Sequence, residues 1–232
     1  MATQIIETVQ ARLKELGYYT GRVDGDAGTM TSEAVIDFKE VHGFVARDYV
    51  GPLTISLLFS KDAKAVEAKP TGAPPWYDLA LSKMGLHETS DNSELRAWLR
   101  ADGSTLGDPA ILPWCGDFVE TAIKLALPDE PHVVNPYLAR NWLKFGRSCD
   151  LIRGAVCVFW RGSRNGTSGH VGFVAGEDAT TVHVLGGNQS NQVSITRISK
   201  ARLLGCRWPT SYPLTGERVQ RDAVGEVSLN EA

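Results

Sequence analysis

No run of apolar residues in this 232-residue sequence approaches the roughly 18 that would mark a membrane-spanning helix, and no membrane span is expected. No excess of positive charge is present either. The net charge is −3, so nothing global points to nucleic acid as a partner. No C-x-x-C pair occurs, and the four cysteines (Cys115, Cys149, Cys157, Cys206) stand 34, 8 and 49 residues apart. That spacing argues against a zinc ribbon or a thioredoxin-type motif, and neither a metal nor a cofactor is expected. The opening stretch "MATQIIETVQARLKELG" lacks the basic-then-apolar plan of a secretory signal and reads as an amphipathic helix. The expected product is therefore a monomer made in the cytoplasm with four free thiols. On export, Cys149 and Cys157 could close a small loop.

What is present suits one or two globular domains with a buried core: 43% of residues are hydrophobic and 22% charged. Two compositional breaks divide the chain. Residues 61–75, "KDAKAVEAKPTGAPP", carry three prolines and no apolar period, and read as a linker. Residues 213–232 are polar and aperiodic, and read as a disordered tail. Between these breaks lie a small unit, 1–60, and a larger one, 76–212. In the small unit, Ile5, Ile6, Val9, Leu13 and Leu16 recur at helical spacing before Gly17. A second helix is expected from Thr31 as its cap, with Ala34, Val35, Phe38 and Val41 on its apolar face. A third, short helix carries Ile55, Leu57, Leu58 and Phe59. The larger unit opens with helical segments, and then the period changes to that of strands. "AVCVFW", "HVGFVAG", "TTVHVLGG" and "VSITRI" are β-rich runs separated by Gly, Asn and Asp. Helices first and an antiparallel sheet second make an α+β domain.

The run from "VQARLKELGYYTG" through "VDGDAG", "FKEVHGF" and "VGPLT" resembles a peptidoglycan-binding type 1 domain over nearly the whole first unit. Lys39 stands where that family more often has Gln. The resemblance implies a three-helix module that grips cell-wall glycopeptide through the groove around its turns. Tyr19, Asp24 and Gly25, in the turn region, are the candidate contacts.

Cys115, in "LPWCGDFVE", falls at the start of the helix that carries Phe118, Val119, Ala122 and Ile123. Unpaired backbone N–H groups and the positive end of the helix dipole favour a thiolate there. Cys157 and Cys206 sit among apolar neighbours and read as packing, and Cys149 has no evident partner base. A cysteine nucleophile needs a base, and the base needs an orienting group. Of five histidines, His170 starts a strand after a Gly-rich turn, where an imidazole can reach a cleft, whereas His183 lies mid-strand. The stretch "LGGNQSNQV" offers the orienter, Asn188 first and Gln189 as its competitor, although such residues also suit a plain hairpin turn. Asp117 reads either as lining the cleft toward a cationic peptide group or as a first-turn acid on the helix dipole. Trp114 reads as a substrate wall or as a hydrophobic staple.

Together, "WCGDFV", "GHVGFVAG", "LGGNQSN" and "RLLGCRWP" resemble the papain-like cell-wall hydrolases, among them CHAP amidase/peptidases and NlpC-type endopeptidases. The similarity spans about residues 76–209, including "GLHETSDNSELRAWL", where Glu88 and Asn92 match a phage-associated subfamily. It implies a papain-like fold of helices packed on an antiparallel sheet. Cys115 would be the nucleophile, His170 the general base and Asn188 the third member, with Glu88, Trp114, Asp117 and Gln189 toward substrate. Gly187 departs from the acidic residue that the CHAP group often places there. The expected function is that of an endolysin cutting an amide of peptidoglycan through a thioester, with a holin-like partner for release and the periplasm as its place of action. The alternatives are a secretion-system effector with the same chemistry and a wall-binding protein without catalysis.

Overall fold

The computed structural model describes residues 2–19, 23–66 and 72–228. The chain folds as two compact units, Met1–Thr71 and Gly72–Ala232.

The first unit holds three helices, α1 (Ala2–Glu15), α2 (Thr29–Val41) and α3 (Pro52–Leu58). Val9 and Leu13 of α1 bury against Ala34, Val35 and Phe38 of α2, and Tyr18 and Leu58 complete the core. The residues expected at helical spacing largely form this face, but Ile5 is exposed. Gly17, at φ +87°, ends the first helix in the left-handed region where glycine carries no Cβ penalty. Thr31 does not cap α2. The residue before that helix is Gly28 in an extended conformation, and the Thr31 hydroxyl, inside the helix, bonds the Asp26 carbonyl at 3.0 Å.

A buried amide organises the turn between α1 and α2. Gln10 Oε1 accepts from the backbone N–H groups of Asp24 (3.0 Å) and Gly25 (2.9 Å). Its Nε2 reaches Asp24 Oδ1 and the Asp26 carbonyl, both at 2.9 Å, with Thr31 Oγ1 at 3.0 Å and the Tyr19 hydroxyl at 3.2 Å. Buried polar groups must be paired, and this one amide pairs a whole turn.

The expected linker is divided. Ala63 and Val66 pack on the core of the first unit, and the Val66 N–H bonds the Leu16 carbonyl at 2.9 Å. The Tyr18 hydroxyl bonds the Lys64 carbonyl at 2.9 Å. Residues 67–71 lie outside the described residues, and Pro75 already opens the next helix.

The second unit is α+β. Helices α4 (Pro75–Leu81), α5 (Asn92–Leu99) and α6 (Cys115–Ala126) come first, followed by a 3₁₀ helix, Ala139–Lys144. The strands are β1 (Arg147–Ser148), β2 (Val156–Trp160), β3 (Gly169–Glu177), β4 (Thr181–Gln189), β5 (Gln192–Ser199), β6 (Leu203–Trp208) and β7 (Val227–Ser228). They form one sheet in the order β1-β6-β2-β3-β4-β5-β7, antiparallel except for the β5–β7 pair. The four expected β-rich runs are its consecutive strands β2 to β5. Helix α6 packs on β3 and β4, and every residue from Cys115 through Ile123 is buried. Four fully buried tryptophans tie this core together, and each indole N–H finds an acceptor. Trp76 donates to the Gly154 carbonyl, Trp114 to Glu88, Trp142 to the Pro136 carbonyl and Trp208 to the Tyr212 and Pro213 carbonyls.

The segment after residue 212 is not a free tail as far as Ser228. Arg218 Nε bonds the buried Glu177 carboxylate at 2.8 Å, Arg221 Nε bonds the Ala175 carbonyl at 3.1 Å, and β7 extends the sheet. Its polar composition concealed this because the attachment is made by guanidinium and backbone groups rather than by an apolar period. Residues 229–232 lie outside the described residues.

Candidate active site

The strand ends on one side of the sheet and the start of α6 assemble the candidate residues. Trp114 precedes the helix in a non-helical conformation (φ −122°, ψ 13°), and Cys115 is its first residue. Gly116 follows because the Pro136 carbonyl approaches so closely that a Cβ there would overlap it. Cys115 is buried, and burial pushes its thiol pKa up. The backbone amides of Val171 and Gly116 and the positive charge of Arg161 oppose that shift without cancelling it. The helix start therefore aids the thiolate, as expected, but desolvation outweighs it in the free protein.

The Val171 backbone amide acts on the Cys115 sulfur, so the sulfur lies against the start of β3, one residue along the strand from the base candidate His170. His170 is buried, and its Nε2 lies 3.1 Å from Gln189 Oε1. The orientation of the Gln189 amide is set by its other end. Gln189 Nε2 donates to the carbonyls of Ser194 (2.6 Å), Val184 (3.2 Å) and Gly186 (3.3 Å). A carbonyl cannot donate, so these acceptors fix the nitrogen toward the strand and the oxygen toward the imidazole. An oxygen facing Nε2 makes that nitrogen the N–H of neutral His170 and leaves the lone pair on Nδ1.

Gln189, not the first-choice Asn188, thus contacts the imidazole, and the cause is a shift of register. The β4–β5 pairing breaks between Gly186 and Gln189, and Asn188 adopts φ +55°. Such a bulge turns the alternation by one residue, so the side chain after the asparagine takes the place beside His170. The pair Gln189↔Gln192 then closes a two-residue turn, with Ser190 and Asn191 at φ +52° and +64°, the signs of a type I′ hairpin. The turn reading of this stretch and the orienter reading hold together.

Gly187 also has a physical account. A Cβ there would overlap the Trp114 ring and crowd Phe118 at 2.9 Å, so no acidic side chain fits at this position. Trp114 is fully buried beneath this strand and is not a substrate wall. Its indole N–H donates to Glu88 Oε2 at 2.9 Å. Glu88 is half-buried and held at the site by its own backbone, whose N–H bonds the Asn191 carbonyl at 2.8 Å. Asn92, the other residue of that stretch, donates to the Glu88 carbonyl (2.7 Å) and to Asp108 (2.8 Å).

Asp117 faces away from solvent. Its Oδ2 accepts from Thr105 Oγ1 (2.9 Å) and the Leu106 N–H (3.1 Å), while Oδ1 is buried with no hydrogen-bond partner. Burial pushes its carboxyl up to about 6, opposed by those two bonds and reinforced by Glu120 and Asp102. It anchors the 105–106 loop to the first turn of α6, which agrees with the first-turn reading rather than with a cleft residue facing a cationic peptide group.

His183 lies at the other end of the sheet, with Nε2 3.0 Å from Asp178 Oδ2, a carboxylate that Arg197 also holds at 2.9 Å. Burial raises the thiols of Cys149 and Cys206 to about 12 and that of Cys157 well above the ordinary value. All four cysteines are free thiols. Among the described residues, no group of three or more His, Cys, Asp or Glu is arranged to hold a metal, and no helix is long and apolar enough to cross a membrane.

In the first unit, Tyr19, Asp24 and Gly25 serve the Gln10 network. Gly25 sits at φ +73°, hard against Thr3. These candidates build the turn; a separate groove of about 310 Å³ lies nearby, lined by Val9, Val35, Tyr49 and Val50 with the polar Ser32 and Asp48. One residue that bears on the thiol had no signal in the sequence motifs: Arg161, whose positive charge favours the Cys115 thiolate.

Comparison with known proteins agrees with the first unit. Residues 3–58 match the family described as "Putative peptidoglycan binding domain". The chain carries this domain at its N-terminus. It is also similar to the N-acetylmuramoyl-L-alanine amidase CwlM of Mycobacterium tuberculosis, with 35% identity over 65 residues. That stretch is 28% of this chain and 16% of CwlM, and it falls on the binding-domain region. No solved structure matches the chain significantly.

Proposed function

We propose that this protein is a peptidoglycan hydrolase that cuts an amide bond of the cell wall with Cys115 as nucleophile, His170 as general base and Gln189 as the group that orients the base. The observation that carries the reading is the bond from His170 to an amide whose orientation is fixed, beside a cysteine that opens a helix. The peptidoglycan-binding match over residues 3–58 supports the substrate class, and the similarity to a protein named as an amidase agrees with it. The order of a cysteine-bearing helix followed by a strand bearing histidine supports a papain-like domain of the CHAP or NlpC kind.

With Nε2 protonated against Gln189, His170 Nδ1 takes the proton from the Cys115 thiol. The thiolate attacks the amide carbonyl carbon, and the developing oxyanion is met by N–H groups at the start of α6, that of Cys115 included. The imidazolium returns its proton to the leaving nitrogen as the C–N bond breaks. Water, activated by His170, then hydrolyses the thioester and restores the thiol. The groove of the first unit receives glycopeptide and raises the local concentration of substrate. In the cell the enzyme acts as a monomeric endolysin, reaching the wall through a holin-like partner. Purified protein should clear permeabilised Gram-negative cells, and alkylation of Cys115 should abolish clearing. Full clearing by the alkylated protein overturns this function.

A further inference from the structure

We propose that Arg161 is a specificity-determining residue that holds a carboxylate of the peptide substrate beside the scissile amide. The proposal deepens the hydrolase reading and rests on it.

The position follows from register. In the β2–β3 pair, Phe159 stands opposite His170 and Trp160 opposite Gly169. The ladder continues one step further, with the Arg161 N–H bonded to the Ser168 carbonyl at 3.2 Å. Directly opposed residues share a face, and residues two apart along a strand share it too. Arg161 therefore lies on the His170 face as its diagonal neighbour, roughly 7–8 Å away between backbones. A guanidinium on a flexible stem spans that distance. Its positive charge also favours the Cys115 thiolate, in keeping with the placement that the register gives.

The hairpin that carries it is built as a cationic, shape-fixed rim. Residues 161–168, "RGSRNGTS", hold two arginines, and no acidic residue occurs from 161 to 176. The half-buried Arg140 stitches the turn through three carbonyls, those of Ser168, Arg164 and Ser163, each at 2.9 Å. On the far side of His170, beyond β4 and β5, the backbone of residues 85–88 bonds the strand and delivers the carboxylate of Glu88. The strand ends thus place a cation and an anion on opposite flanks of the base. A stem peptide of the wall carries both kinds of charge, and a guanidinium pairs with a carboxylate through two parallel N–H···O bonds that a primary amide cannot match.

The test uses two muropeptides that differ only in the carboxylate nearest the bond wild type cleaves, free in one and a primary amide in the other. Wild type is expected to favour the free carboxylate by at least about tenfold in kcat/KM, a charge-assisted bond's worth. Arg161→Gln should bring the ratio near unity, mainly through KM for the carboxylate form, and Arg161→Lys should restore part of it. Binding of the same pair to the Cys115→Ala protein, with and without Arg161→Gln, gives a readout that needs no turnover. A ratio unchanged by Arg161→Gln in both assays overturns the proposal. So does an equal loss on both substrates, which would assign Arg161 to thiol acidity alone. Absence of turnover by wild type overturns the hydrolase reading instead. Binding is then compared over muropeptide pairs amidated at each stem carboxylate in turn, and the absence of any pair whose ratio Arg161→Gln changes overturns the proposal.

Discussion

Gln189 Oε1 lies 3.1 Å from His170 Nε2, and the three carbonyls around Gln189 Nε2 leave the amide one way to face. The imidazole is thereby locked with its proton on Nε2 and its basic lone pair on Nδ1. Gln189→Ala should lower kcat by roughly 10²-fold, within the range of general-base effects, with little change in KM. Asn188→Ala should retain activity within a few-fold. Steady-state kinetics of the two variants decide between the residues, and the reverse order of effects would return the orienting role to Asn188.

The Glu88–Trp114 bond predicts an asymmetry between two substitutions. Glu88→Gln keeps an oxygen for the buried indole N–H and should melt close to wild type. Glu88→Ala leaves that donor unpaired and should cost about 1–3 kcal/mol. Denaturant titration measures both, and equal stability of the two variants would show that the indole has another acceptor.

Asp117 sets a pH dependence whose sign follows from its burial. Its carboxyl is raised from 3.8 to about 6, so the folded chain holds the proton more tightly than the unfolded chain. The stability linked to this group is complete below its unfolded value and is lost as pH rises through about 6. The loss at neutral pH amounts to at most about 3 kcal/mol for a shift of this size. Asp117→Asn should therefore raise Tm at pH 7.5, with the gain vanishing near pH 4. A variant that melts below wild type at pH 7.5 would contradict this sign.

Gln10 carries the turn of the first unit. Gln10→Ala leaves the N–H groups of Asp24 and Gly25 without their acceptor and should destabilise that unit by several kcal/mol, since more than one buried partner is lost. Binding to insoluble peptidoglycan should fall with it. A pull-down with undiminished binding at a temperature where the unit is unfolded would separate wall binding from this fold.

Much of this was legible in the sequence, and for definable reasons. Core faces such as Val9, Leu13, Val35 and Phe38, and the four runs that became β2 to β5, follow from periodicity, which is a local property. The place of Cys115 at a helix start followed from the apolar period of the residues after it. What was not legible depends on register and on distant partners. Asn188 and Gln189 are both polar, and only a bulge decides which meets His170. Trp114 looks the same in sequence whether it walls a cleft or lies under Gly187, since Gly187 is 73 residues away. Arg161 carries no motif at all; its place comes from the pairing of β2 with β3. The segment 213–228 is held by Arg218 and Arg221 on Glu177 and Ala175, contacts that leave no periodic trace.

The central claim is amide cleavage through Cys115, and mass spectrometry of purified peptidoglycan after digestion tests it most directly. Wild type should release fragments with a new amine and a new carboxylate at one kind of amide bond, and Cys115→Ala should release none. The same fragments, released at the same rate by Cys115→Ala, would contradict the account.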